Sequence, residues 1–175
     1  MTQPRAHAPE PPRTLTETGP LLLGYLDYYR SVIASKVVGL SEAQLRTAPL
    51  PSGWTPLGLL NHLVHMERRW LRWGFMAEHV EDVEGDQGVG PWLVPEDATL
   101  DGLLGELEAV GSRTRAIVSK SDLTAPASTG GRFAADDPRP APTLGWILFH
   151  VLQEYARHAG HLDAARELID GQVGE

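Results

Sequence analysis

The stretch from Leu144 to Asp170 most limits how this chain can fold, because ionisable residues intrude into an apolar pattern of helical period. At about 100° per residue, counted from His150, Ile147 and Ala165 fall at about 60°, Val151 and Ile169 at about 100°, and Leu144 and Leu162 at about 120°. On the same wheel Glu154 lies at about 40°, His158 at about 80° and His161 at about 20°. Glu154 and His158 therefore point into the apolar stripe, and His150 and His161 sit at its edge. A carboxylate placed in a core costs several kcal/mol unless it is paired or bound to a cation. The helix requires a partner for Glu154.

The remaining segments read as further amphipathic helices. Thr143 opens the helix just described, and Asp170-Gly171 closes it with glycine in the usual C-terminal position. Thr55 as cap with Pro56 at the first helical position starts another, which the pattern carries to about residue 76. Thr99 caps a third, with Leu100, Leu103, Leu104, Leu107, Val110 and Ile117 on its inner side. A first helix follows Pro20 and lines up Leu22, Leu26, Tyr29 and Ile33, while Ser41-Glu-Ala-Gln44 is a capping-box start for a short one. No segment alternates with period two. The expected class is all-α, a four-helix bundle with long inter-helix loops over 77–98 and 122–142. Residues 1–14, with four of the chain's 14 prolines and no periodicity, are expected to be a disordered tail preceding a domain over 15–175.

Composition narrows the function. The balance is acidic, 23 Asp plus Glu against 15 Lys plus Arg, for a net charge of −8. A phosphate-binding face needs clustered positive charge, so nucleic acid and anionic membrane surfaces are poor partners. No apolar run approaches the roughly 18 residues of a membrane span, and the N-terminus has no signal-peptide core. The absence of cysteine removes disulfides, thiolate ligands and a cysteine nucleophile. The expected setting is the cytoplasm, and any metal must be held by histidine and carboxylate.

Two ligands one helical turn apart are half a metal site, and the second helix offers His62 and His65. Counted from His62, Met66 lies at about 40°, Leu59 at about 60°, Trp70 at about 80°, Leu63 at about 100° and Trp73 at about 20°. His62 is thus at the margin of the inward stripe, with Trp70 and Trp73 inside it, and His65 falls on the polar side at about 300°. His62, Glu154 and His158 form a set of two imidazoles and one carboxylate, suited to Zn²⁺ first, with Ni²⁺ or Fe²⁺ as alternatives, and with positions left open for water or substrate. His161 could serve as a fourth ligand or a general base, and His150 is a similar reserve. The plainer alternative pairs Glu154 with Arg157, Arg68 or Arg69 and leaves the histidines as boundary residues.

The helix start Trp54-Thr-Pro leading to Leu-Leu-Asn-His62-Leu, together with Glu154-Tyr-Ala-Arg-His158-Ala-Gly-His161, resembles the DinB/YfiT-like superfamily, which includes the metal-binding domain of mycothiol-dependent maleylpyruvate isomerase. The resemblance spans about residues 15–172 of the chain. It implies a metal triad of one histidine from the second helix and two ligands four residues apart on the last, falling here on His62, Glu154 and His158. The isomerase branch has Glu-x-x-x-His at the latter pair, as does this sequence. A counterpart of the isomerase's additional C-terminal domain is not expected, so the resemblance does not carry over the isomerase's own substrate.

The activity implied by the resemblance is that of a metal-dependent S-transferase or isomerase using a low-molecular-weight thiol such as mycothiol. A divalent cation acidifies a bound thiol, and a chain without cysteine must borrow its sulfur. A metal-dependent hydrolase and a non-catalytic metal- or ligand-binding stress-response protein are the alternatives. Arg69 and Arg157 are candidate clamps for an anionic group of the thiol or substrate, with Arg68 and Arg72 beside Arg69 in a basic patch. The expected partner is a small molecule. A homodimer is expected from the resemblance and from the apolar loop residues Trp92, Leu93 and Val94.

Overall fold

Threonine caps start three of the long helices. Each Thr side chain accepts a hydrogen bond from an N–H of the first turn that has no partner within the helix. Thr55 takes Gly58 N–H at 3.0 Å, Thr99 takes Gly102 N–H at 3.1 Å and Thr143 takes Trp146 N–H at 3.3 Å. The computed structural model describes residues 7–87 and 92–174. Its helices are α1 (Thr18–Val37), α2 (Glu42–Leu45), α3 (Pro56–Glu67), α4 (Leu100–Val118) and α5 (Leu144–Asp170). Gly171 ends α5 at φ 74, a left-handed conformation that glycine adopts without steric cost.

α1 lies along α5, α3 along α4, and the remaining pairs α1–α4 and α3–α5 close the ring. The fold is the all-α four-helix bundle, and the described residues contain no strand, only an isolated bridge between Pro126 and Thr143. Its core is the set of inward stripes: Leu26 and Ile33 from α1, Leu60 and Leu63 from α3, Leu107 and Ile117 from α4, Ile147, Val151 and Leu162 from α5. Burying each such side chain contributes about 1.5–3 kcal/mol.

A polar cluster sits inside this core. Glu67 of α3, 1 % exposed, accepts hydrogen bonds from Arg30 Nη2 of α1 at 2.5 Å, from Tyr155 O–H of α5 at 2.6 Å and from the Thr114 hydroxyl of α4. Arg30 Nε adds a second bond to the same carboxylate at 3.1 Å. Gly111 gives Arg30 its room, since a Cβ there would stand 3.0 Å from the guanidinium. One carboxylate therefore joins all four bundle helices.

Beyond Glu67 the helix changes its winding. Arg68–Phe75 is a π-helix, its wider turn marked by Met76 N–H donating to Leu71 C=O, five residues back, at 3.1 Å. Counting at 100° per residue fails from here on. Trp73, expected inside, is only half-buried, as is Trp70, and Arg69 is buried under the loop residues Val83 and Asp86. Carbonyls at the end of this segment are taken up by the loop over 122–142: Arg132 N–H donates to Trp73 C=O at 3.2 Å and Ser128 N–H to Phe75 C=O at 2.9 Å. Gly131 allows that approach, because a Cβ there would overlap the Trp73 carbonyl oxygen.

Part of the N-terminal tail, residues 1–6, lies outside the described residues. Residues 7–14 form no helix or strand but rest on α1, with Ala8 N–H donating to Ser31 Oγ at 2.9 Å and Pro11 seated against Gly24. Contact with the bundle thus begins upstream of the boundary expected at residue 14.

The buried cluster makes two checkable statements. Glu67→Ala strands the Arg30 charge and should cost about 3–5 kcal/mol in urea unfolding. Burial first, and the neighbouring Glu67 carboxylate second, raise the Tyr155 phenol well above its ordinary value. A group whose folded-state value is raised stabilises fully below its unfolded value and loses that contribution as pH rises. Wild-type stability should therefore fall above about pH 10, and Tyr155→Phe should flatten that alkaline limb while costing about 1–3 kcal/mol at neutral pH.

Candidate metal centre

Regular winding from Pro56 to Glu67 and from Leu144 to Asp170 brings His62 of α3 opposite Glu154 and His158 of α5. Each of the three offers one ligand atom, and those atoms all lie within 4.8 Å of one another. His158 is buried and its Nε2 is 3.2 Å from Glu154 Oε2. The other Glu154 oxygen is 3.6 Å from His150 Nε2. The Glu154 side chain keeps 20 % exposure, so it is not sealed in the core but faces a cleft of about 480 Å³. Leu50, Ser52, Trp54 and Arg157 form the walls of that cleft, with the three candidate ligands at one side.

The plainer pairing of Glu154 with an arginine does not occur. Arg68 donates to Glu106 at 2.6 Å, Arg72 to Glu78 at 2.9 Å, and Arg69 is engaged by Asp86 through both carboxylate oxygens. This also corrects the reading of Arg69 as an anion clamp, since its buried guanidinium faces the interior and donates to Val83 C=O as well, at 3.1 Å. The loop residues Val83 and Asp86 are the cause, because they close over the guanidinium. Arg157 does line the cleft, as a clamp would require.

His62 is held on two sides. Its Nδ1 lies 2.7 Å from Asp86 Oδ2, and Trp92 stacks on its ring with centroids 4.1 Å apart and planes 12° apart. Burial lowers the His62 imidazole below its ordinary value, against the pull of Asp86, so the neutral ring is favoured. Burial pushes the Asp86 carboxyl up, but hydrogen bonds from His62 and Arg69 outweigh it and hold Asp86 well below the usual carboxylate range. Glu154 is likewise lowered, first by its hydrogen bond with His158 and against burial, and stays an anion. A neutral His62 and an ionised Glu154 are protonation states that a divalent cation needs.

His161 stands outside the convergent set. Its Nδ1 is 3.1 Å from His158 Nδ1, the ring edge opposite Glu154. His158 thus turns one nitrogen to Glu154 and the other to His161, which places His161 as a hydrogen-bond partner of His158 rather than as a fourth ligand. His65 departs from expectation. It is 7 % exposed, with its Nδ1 lacking a hydrogen-bond partner, because the loop residues Asp82 and Pro95 and the start of α4 fold over the face expected to be polar. Trp92, an apolar loop residue suited either to a pocket mouth or to a dimer surface, lines the cleft and stacks on His62.

Asp86 escaped the sequence reading. It lies in the Gly-rich acidic loop where no periodicity marks an inward position, and only the loop's length beyond what a bundle needs hinted at a task.

The chain matches the family described as Mycothiol-S-transferase over residues 21–171. It belongs to that family. The DinB/YfiT-like resemblance holds with it, and no curated protein matches the chain. In a mycothiol S-transferase family member the two-imidazole, one-carboxylate set fits a divalent cation: donor types agree, the atoms converge, and they face a cleft.

Protein purified without a polyhistidine tag and dialysed against Zn²⁺ should carry about one ion per chain by elemental analysis, the number that one three-ligand site takes. His158→Ala should carry none while keeping its helical circular dichroism.

Proposed function

We propose that this protein is a metal-dependent S-transferase that joins a low-molecular-weight thiol of the mycothiol type to a small electrophile, with His62, Glu154 and His158 holding the cation. Zn²⁺ suits the donor set best, with Ni²⁺ or Fe²⁺ as alternatives. The observation that carries the reading is the convergence of the three ligand atoms at an open cleft, where a structural site would be closed by a fourth protein ligand. A divalent cation in such a site lowers the pKa of a thiol that reaches it.

The chain's own residues supply the remaining requirements. With no cysteine, the sulfur nucleophile comes from the cosubstrate. The thiol gives its proton to solvent water at the open cleft, its sulfur bonds to the electrophilic carbon, and the leaving group departs with the bonding electrons. Arg157 at the cleft wall receives an anionic group of either substrate. Trp54 and Trp92 give the cleft apolar walls that limit water around the reacting atoms. Burial first, then His158 and Arg157, lowers the His161 imidazole, which keeps it neutral as a hydrogen-bond partner of His158.

The protein works in the cytoplasm, where such thiols are kept reduced, and without nucleic-acid or membrane partners; none of its described helices is long and apolar enough to cross a membrane. A homodimer belongs to the same proposal, with the exposed Trp146 and Phe149 of α5 as the apolar surface that a second copy covers.

The test is turnover of a panel of electrophiles by Zn²⁺-loaded protein with mycothiol, read as loss of free thiol. His62→Ala and His158→Ala should each lower the rate by more than about 100-fold at unchanged fold. Electrophile turnover that proceeds equally without thiol would point to hydrolysis and contradict the transferase reading.

A further inference from the structure

Metal-binding histidines need their second ring nitrogen fixed, because the hydrogen bond made there decides which nitrogen keeps the lone pair and how the ring is turned. Both candidate histidines here have that nitrogen engaged, each by a different element. His158 meets His161, one turn further along α5, and His62 meets Asp86 from the loop between the π-helical segment and α4.

We infer that Asp86 is a positioning residue for the metal site: it holds His62 as the Nδ1–H tautomer, so that Nε2 presents its lone pair to the space shared with Glu154 and His158. This inference rests on the proposed metal reading. Asp86 is 0 % exposed, and its carboxylate is itself immobilised. Arg69 engages both oxygens, and Gln87 Nε2 donates to Oδ2 at 3.1 Å. The chain at Asp86 is tied to α3 through Leu93. Leu93 N–H donates to Asp86 C=O at 3.0 Å, and Asn61, the neighbour of His62, donates its side-chain N–H to Leu93 C=O at 2.8 Å. An ionised carboxylate can only accept, so the His62 nitrogen that faces it must carry the proton.

Arg69, at the start of the π-helical segment, compensates this buried carboxylate. Arg69 thereby acts through Asp86 on His62 and is a positioning residue at one further remove.

Asp86→Asn is the sharpest variant because it keeps size and shape. Arg69 Nη1 can only donate and holds the amide oxygen at the Oδ1 position, while Gln87 can turn its own amide oxygen to the new N–H, so that N–H faces His62, which must then accept at Nδ1 and carry its proton on Nε2. Two readouts separate positioning from mere stability. The first is the His62 tautomer in metal-free protein, by ¹⁵N NMR with labelled histidine above the ordinary histidine pKa. The second is Zn²⁺ affinity by chelator competition, with melting temperature as a control for folding. Wild type should show Nδ1–H, and Asp86→Asn should show Nε2–H with Zn²⁺ held about 10–100-fold more weakly. Arg69→Gln should weaken Zn²⁺ in the same direction. Nε2–H in wild type would overturn the inference without any variant, as would a folded Asp86→Asn that binds Zn²⁺ as tightly as wild type. If wild type takes up no Zn²⁺, the metal reading fails, and the role inferred for Asp86 at that site fails with it. Zn²⁺ uptake together with the wrong tautomer would leave the metal reading standing and remove Asp86 alone.

Discussion

Glu67 accepts hydrogen bonds from Arg30, Thr114 and Tyr155, so a single buried carboxylate touches α1, α4 and α5 from its place on α3. Burial of an ion pair seldom adds much net stability, since desolvation offsets the attraction. Its effect here is on geometry. Apolar stripes pack acceptably over a range of rotations and axial shifts, whereas a hydrogen-bonded carboxylate with partners on three helices accepts only one. Tyr155 follows Glu154 directly on α5, and Glu67 lies little more than one turn after His62 on α3. The bond between them fixes the rotation and height of α5 against α3 beside the place where Glu154 and His158 meet His62.

The candidate metal centre then resembles a small assembly on that frame. Two helices bring three ligand atoms together. The loop from the π-helical segment to α4 supplies Asp86 at the edge of His62 and Trp92 on its face. The second long loop covers the π-helical segment from the other side, where Arg132 stacks on Trp70 at 4.3 Å from the ring centroid. Both loops exceed what a bundle needs to connect its helices, and each is held where the regular helix gives way. A polar site at the edge of an apolar core needs this support, since every donor and acceptor that it buries must be met.

How far the sequence could be read follows from where the helices are regular. The bundle was legible from threonine caps and from stripes of period 3.6, and so was the convergence of His62, Glu154 and His158, because each lies within an unbroken α-helix whose angles can be counted. Trp73 falls on the wrong side of the wheel because a π-turn intervenes and the sequence carries no plain mark of it, and Arg69 is buried because Val83 and Asp86 of the following loop close over it. His65 was assigned to solvent because a helical wheel does not show a loop folding over a face. Glu67 went unnoticed, since a lone carboxylate about 140° from His62 is ordinary on a helix surface and its three partners come from distant parts of the chain. Asp86 lies in a loop, where periodicity says nothing, and its value to His62 exists only in three dimensions.

In the proposed site one imidazole of α3 and a carboxylate and an imidazole of α5 share a single cation. X-ray absorption on the Zn²⁺-loaded protein is the decisive measurement, because multiple scattering from imidazole rings counts histidine ligands. Two imidazoles with oxygen completing the shell are expected in wild type, and one imidazole or no bound Zn²⁺ in His62→Ala. Two imidazoles retained in that variant, or three or more in wild type, would contradict it.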